Sequence, residues 1–269
     1  MLISDILLEA DTEYNRTKTL TVDEFNQLRP KLELALKKTE NQDIIYRGSP
    51  NPWPIVYSDP TTFERVSRNT SNELTLLMSH VLPSWQSWPK RSRSLVCSNH
   101  FSTATSYSRN QGAYIVLPLG NPDIAIVPSG DIWDAFKMYP PDFNQNFDDI
   151  FRTFRLVVPT VKWPAKIATP QDMVQVLKAY DAIIKQSPDV IEQLRDEVSG
   201  SRKYGIATML DLLTTGDSIG RLDEFLNPVN NYFTKVPYSG FTKTGNNNEI
   251  WFSSPAVLIR SDTFNKIMN

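Results

Sequence analysis

The chain has 269 residues, of which 40% are hydrophobic and 22% charged, enough for one large domain or two small ones with a sizeable core. A net charge of −2 excludes an overall basic field for nucleic acid or an anionic membrane, and a single cysteine, Cys97, excludes an internal disulfide and suits a reducing compartment. No stretch reaches the ~18 apolar residues that span a bilayer, and the apolar opening Met1–Glu9 is acidic rather than basic, unlike a signal peptide.

Residues 1–43 read as an N-terminal helical segment. Thr21 and Glu24 have capping-box spacing, and Phe25, Leu28, Leu32 and Ala35 follow at helical intervals. Pro30 falls inside this run, which predicts two short helices or a kinked one. The sheet core is expected over 44–165 and 227–269, with strands at 44–47, 94–101, 113–118, 124–128, 156–161, 249–252 and 256–260. These are the short β-branched or aromatic runs bounded by turn residues. Residues 50–70, rich in Pro, Asn, Ser and Thr, read as a surface loop, and 72–82 as a helix. The basic run Lys90-Arg91-Ser92-Arg93 reads as a solvated face, and Cys97 as a small core residue. One or two helical turns are expected over 104–109, and Gly120-Asn121-Pro122 predicts a hairpin between the strands on either side of it. A helix starting near Asp131 leads into an aromatic-rich loop. Residues 166–226 form a helical insert: Thr169-Pro170-Gln171-Asp172 and Ser187-Pro188-Asp189 are both helix starts. The whole is α+β, a split mixed β-sheet in two facing halves within one domain spanning 1–269.

Two histidines, His80 and His100, lie far apart and have no neighbour at metal-ligand spacing, so no metal site is expected. Three short pieces carry a chemistry instead: Tyr46-Arg47-Gly48, Phe101-Ser102-Thr103-Ala104 and Asn248-Glu249-Ile250. Cleaving the nicotinamide–ribose bond of NAD needs a planar cation for the pyrophosphate, hydroxyls to orient the ribose and a carboxylate to stabilise an oxocarbenium-like sugar. An arginine, a Ser/Thr pair and a glutamate on separate strands supply that set.

These pieces resemble the mono-ADP-ribosyltransferase superfamily: Tyr46-Arg47-Gly48 its arginine strand, Phe101-Ser102-Thr103 its Ser-Thr-Ser strand, Glu249 its catalytic glutamate. Arg93-Ser94, Pro118-Leu119-Gly120 and Asn248-Glu249-Ile250 are similar, in order, to pieces of uncharacterised phage-encoded members. The resemblance implies that sheet fold, NAD as substrate, Glu249 as the catalytic residue, and Arg47, Ser102 and Thr103 as NAD contacts. Tyr107 and Tyr114 are candidates to stack on nicotinamide or to pack the core. Trp251, two residues from Glu249 and so on its side of the strand, is a candidate pocket wall. The implied acceptor is an unknown host protein or nucleic acid, the implied location the host cytoplasm or a virion, with virion proteins as partners and no membrane. The helical insert, outside the resemblance, is a candidate for target recognition. Two positions depart from the pattern: Asn247 stands where members that modify arginine carry Glu or Gln, and Ala104 replaces the third hydroxyl. The alternative is a non-catalytic virion or accessory protein, or a binding module using the aromatic loop 133–154.

Overall fold

The structure is a computed structural model, which describes residues 17–65, 72–108, 112–136, 169–187, 189, 192–193, 214 and 216–268. The strand expected at 156–161, the aromatic loop beyond residue 136, most of the helix behind Ser187 and residues 1–16 lie outside the described residues. Two compact units divide the chain, one built from 1–68, 88–132 and 232–269, the other from 69–87 and 133–231.

The first unit is a nine-stranded sheet: β1 (Thr17–Thr19), β2 (Ile45–Gly48), β3 (Ile55–Ser58), β4 (Leu95–Ser98), β5 (Ala113–Pro118), β6 (Asp123–Ile126), β7 (Thr234–Pro237), β8 (Glu249–Phe252) and β9 (Ala256–Arg260), in the order β1-β3-β9-β5-β2-β4-β8-β6-β7. The α+β class stands, but every described pairing is antiparallel, not mixed. The ladder is also uneven. β5 pairs with β9 over five residues, whereas β2 and β4 share the single pair Tyr46↔Ser98. The sheet therefore consists of a five-stranded and a four-stranded part joined at a one-pair seam. β5 and β9 read as continuous apolar runs because both are interior strands; all of β5 is buried, as is β9 up to Leu258 and Ile259.

The expected hairpin around Gly120 does not form. β5 pairs with β2 and β9, and β6 with β7 and β8, so the turn carries the chain from one part of the sheet to the other. Gly120 adopts φ 72°, as the turn chemistry required, but the turn bonds elsewhere: its N–H reaches Lys31 O at 3.1 Å and Leu119 N–H reaches Pro255 O at 2.9 Å. The expected surface loop at 50–70 contains β3, an interior strand whose Ile55 and Val56 are 1% exposed. Its short apolar run was hidden by the surrounding Pro and Asn residues. Thr17–Thr19 is a strand rather than part of the helix, because it pairs with β3.

Helix α1 (Val22–Glu40) starts at the predicted cap. Thr21 Oγ1 accepts the Glu24 N–H at 3.2 Å and Glu24 Oε2 accepts the Thr21 N–H at 2.9 Å. It runs through Pro30 as one helix. Pro30 lies on its exposed side, while Phe25, Leu32 and Ala35, all 0% exposed, are buried on either side of the proline in the core with Ile45, Val257 and Ile250. A short helix, α3 (Phe101–Ser106), packs against β2, three residues earlier than the sequence suggested. The contact is close enough to specify Gly48: a Cβ there would meet Ala104 O at 1.9 Å.

The second unit is helical where described. Helix α2 (Asn72–Leu76) runs into a wide turn at Leu77–Val81, where Leu82 N–H bonds Leu77 O at 2.9 Å. Helix α4 (Pro170–Gln186) has the expected Thr169 cap, reciprocated by Asp172, and buries Met173, Val176, Leu177, Tyr180 and Ile184. Helix α5 (Ser218–Phe225) docks through Ser218, whose N–H and Oγ donate to Asp181 Oδ1 at 3.0 and 2.7 Å. A last helix, α6 (Phe264–Met268), belongs to the first unit.

Gly48→Ala drives a methyl into the α3 backbone and should cost ~1–3 kcal/mol in urea unfolding. Gly245→Ala, where nothing lies within 4 Å, should change stability by under ~0.5 kcal/mol. Thr21→Ala should cost ~1 kcal/mol at pH 7. The Lys18 ammonium and the Thr21 N–H hold the Glu24 carboxyl down from its usual 4.5 to about 2. A depressed carboxyl stabilises the fold above its unfolded value, so this contribution should be intact above pH 4.5 and fade as pH falls through about 2, as measured by acid titration of wild type against Glu24→Gln.

Candidate functional site

The strongest constellation lies where β4 ends and β8 begins. Tyr46, Ser98 and Glu249 are direct partners across β2, β4 and β8, and residues directly opposite in antiparallel strands share a face. Their neighbours Cys97 and Ile250 alternate into the α1 core, so Ser98, Glu249 and Trp251 line the other face.

An asparagine clamp fixes the strand ends. Asn248 N–H donates to Asn99 Oδ1 at 2.7 Å, Asn99 Nδ2 donates to Asn246 O at 2.8 Å and to Asn248 Oδ1 at 3.1 Å, and Asn248 Nδ2 donates to Val127 O at 2.6 Å. Asn99 and Asn248 are both buried. Asparagine suits the place because one side chain carries both donor and acceptor and can satisfy backbone groups that the ladder leaves behind. The Glu249 backbone closes the clamp, with its N–H on Ser129 O and its carbonyl accepting from Val127 N–H.

The Glu249 side chain meets a cation that the sequence analysis assigned to solvent. Arg91 is 5% exposed, and its Nε and Nη2 donate to Glu249 Oε1 and Oε2 at 3.1 and 3.4 Å. Its guanidinium also lies over the Trp251 ring, 6.0 Å from the centroid. Trp251 is fully buried; its indole N–H donates to Pro89 O at 2.9 Å, and its ring meets Phe233 edge-on at 6.2 Å. The other arginine of that run, Arg93, is exposed and pairs with Glu64 at 2.6 Å. Only the alternate arginine of the run is therefore solvated. Arg91 is separated from Glu249 by 158 positions, and no local sequence signal marks the pair.

Around the pair stand further polar groups. Ser98 Oγ accepts from the His100 N–H at 2.9 Å and donates to Asn247 Oδ1 at 3.2 Å. Tyr107 is half exposed, and its phenol is held above the usual range by partial burial first, then by the carboxylates of Asp131 and Glu249, with Arg91 pulling the other way. Gly130 lets Asn247 approach: a Cβ at Gly130 would lie 2.5 Å from Asn247 Nδ2.

The expected site residues divide. Glu249 and Tyr107 belong to this cluster. Arg47 stands one residue off the Tyr46–Ser98–Glu249 row, and its Nη1 donates to Val96 O, where the β2–β4 ladder stops. Ser102 and Thr103 lie on α3 rather than at a strand end, Ser102 exposed and Thr103 half-buried; neither caps the helix, whose N-cap is His100. The hydroxyl at the strand end is Ser98, four residues earlier. Tyr114 is 0% exposed, with its hydroxyl against Asn51 O at 2.6 Å and Trp53 O at 2.7 Å, so it packs the core. Among the described residues no group of His, Cys, Asp and Glu could hold a metal, and no helix is long and apolar enough to cross a membrane. An open groove of about 500 Å³ lined by Pro30, Lys31, Leu34, Leu119 and Asn121 contains none of the expected site residues.

No family model, no curated protein and no solved structure matches this chain.

Tyr114→Phe should destabilise the first unit by ~1–2 kcal/mol, since the buried Asn51 carbonyl and the part-buried Trp53 carbonyl lose their shared donor. It should leave any ligand affinity unchanged, as checked by denaturation and calorimetric titration of one preparation.

Proposed function

We propose that this protein binds NAD and transfers its ADP-ribose, with Glu249 as the catalytic carboxylate. The observation that carries the reading is the pairing of Ser98 with Glu249 at neighbouring strand ends. In the reaction, the bond from ribose C1′ to the nicotinamide nitrogen breaks and its electron pair leaves with nicotinamide. The sugar becomes oxocarbenium-like, and Glu249 accepts a hydrogen bond from the 2′-hydroxyl and offsets the developing charge. An acceptor nucleophile then bonds to C1′ and gives up its proton. Arg47 is assigned to the pyrophosphate, and Ser102 and Thr103, on α3 beside β2, to the ribose side. Asn247 has no basic group, so activation of the acceptor falls to the acceptor or to another residue. A host protein or nucleic acid is the acceptor class, the helical insert at 166–226 is assigned to its recognition, and the host cytoplasm or a virion is the setting.

A second reading, a non-catalytic accessory or virion protein with this sheet, is favoured by one observation. Glu249 is 8% exposed and both its oxygens are already engaged by Arg91.

Titration with NAD to millimolar concentration, with transfer followed by labelled NAD, separates the two. The enzyme reading expects NAD binding, a loss of ~10²–10³ in rate for Glu249→Gln at nearly unchanged NAD affinity, and weaker NAD binding for Arg47→Ala. Folded protein that binds no NAD at millimolar concentration leaves the accessory reading.

A further inference from the structure

The Arg91–Glu249 pair has a geometry more specific than charge balance requires. We infer that Arg91 is a positioning residue for Glu249, an inference that rests on the NAD-transferase reading. Arg91 sits on a single 3-10 turn, Arg91–Arg93, closed by Arg93 N–H on Lys90 O at 2.8 Å. Its guanidinium is confined on one further side. Trp251 lies beneath it, itself fixed by Pro89 O and Phe233, and Phe233 in turn meets Trp88 at 6.5 Å. A planar fork held this way fixes the plane of the facing carboxylate, which a point charge does not. Each carboxylate oxygen has two lone pairs. Arg91 takes one on each oxygen, and Nη2 also lies 3.1 Å from Oε1, which leaves acceptor capacity for a substrate hydroxyl in the plane set by the arginine. The contact that favours an inert pair is thus also the one that aims the carboxylate.

The test compares Arg91→Lys with wild type, and Arg91→Gln with and without Glu249→Gln, using NAD as the probe. Arg91→Lys keeps the charge and loses the fork. It should lower the transfer rate about tenfold or more with the NAD Kd within about twofold. Arg91→Gln should add nothing to the loss already caused by Glu249→Gln, because both act through one group. In wild type, the side-chain Nε–H signal of Arg91 in a nitrogen-15 spectrum should keep its hydrogen-bonded position when NAD saturates the protein. This last measurement decides the matter even where a variant does not fold. Wild-type turnover in Arg91→Lys, or loss of the Nε–H bond on NAD binding, overturns the positioning role while the transferase reading stands. Absence of NAD binding in wild type overturns both.

Discussion

The fold depends on two chain crossings that are bonded to each other. β5 and β6 are consecutive in sequence but belong to different parts of the sheet, and so do β8 and β9. The crossing between β5 and β6 and the crossing between β8 and β9 meet, with Leu119 N–H on Pro255 O at 2.9 Å and Ser254 Oγ on Leu119 O at 3.3 Å. Direct pairing between the two parts is a single residue pair, Tyr46 with Ser98, supplemented by the Arg47 guanidinium on Val96 O. Closure of the sheet therefore requires residues 249–260 to insert β8 between β4 and β6 and β9 between β3 and β5. Such long-range pairing is entropically costly until it is complete, which favours slow, cooperative assembly.

The same topology explains why a buried ion pair sits at the seam. Glu249 is the first residue of β8, and Arg91 precedes β4, its neighbour. Burying both charges costs several kcal/mol each, and their attraction together with the bidentate geometry about offsets that cost. Net stability is therefore a weak reason for the pair. Removing one partner is far more damaging, ~3–5 kcal/mol, because it strands the other. A β8 shifted by one residue would turn Glu249 toward the α1 core, away from Arg91, so the pair disfavours that register.

What was legible in the sequence is local, and what was hidden is long-range. The Thr21 and Thr169 caps were readable because each is completed within three residues. β5 and β9 were readable because interior strands are apolar throughout. The hairpin at Gly120 failed although its turn residues were right, since turn chemistry fixes backbone angles and not which strands pair. β3 was missed because its four residues lie between proline-rich stretches, and β7 because Thr234–Pro237 is mostly exposed and lacks an apolar pattern. Glu249 and Tyr107 could be named from short pieces of sequence, whereas Arg91 and Ser98 take their places from strand register alone.

Register also accounts for the amide at Asn247, the residue before the Asn248 clamp. Asn247 Oδ1 accepts the Ser98 hydroxyl, and its amide lies against Gly130 where no Cβ would fit. An aspartate at this position would add a charge two residues before Glu249, and a glutamate would add both charge and length. Like charges gathered at one strand end repel, and the Arg91 guanidinium is already engaged with Glu249. The neutral amide thus fits a strand end whose described cation is committed to one carboxylate. On the transferase reading, Glu249 is the carboxylate aimed at the sugar, and the choice of acceptor falls to surfaces beyond the sheet.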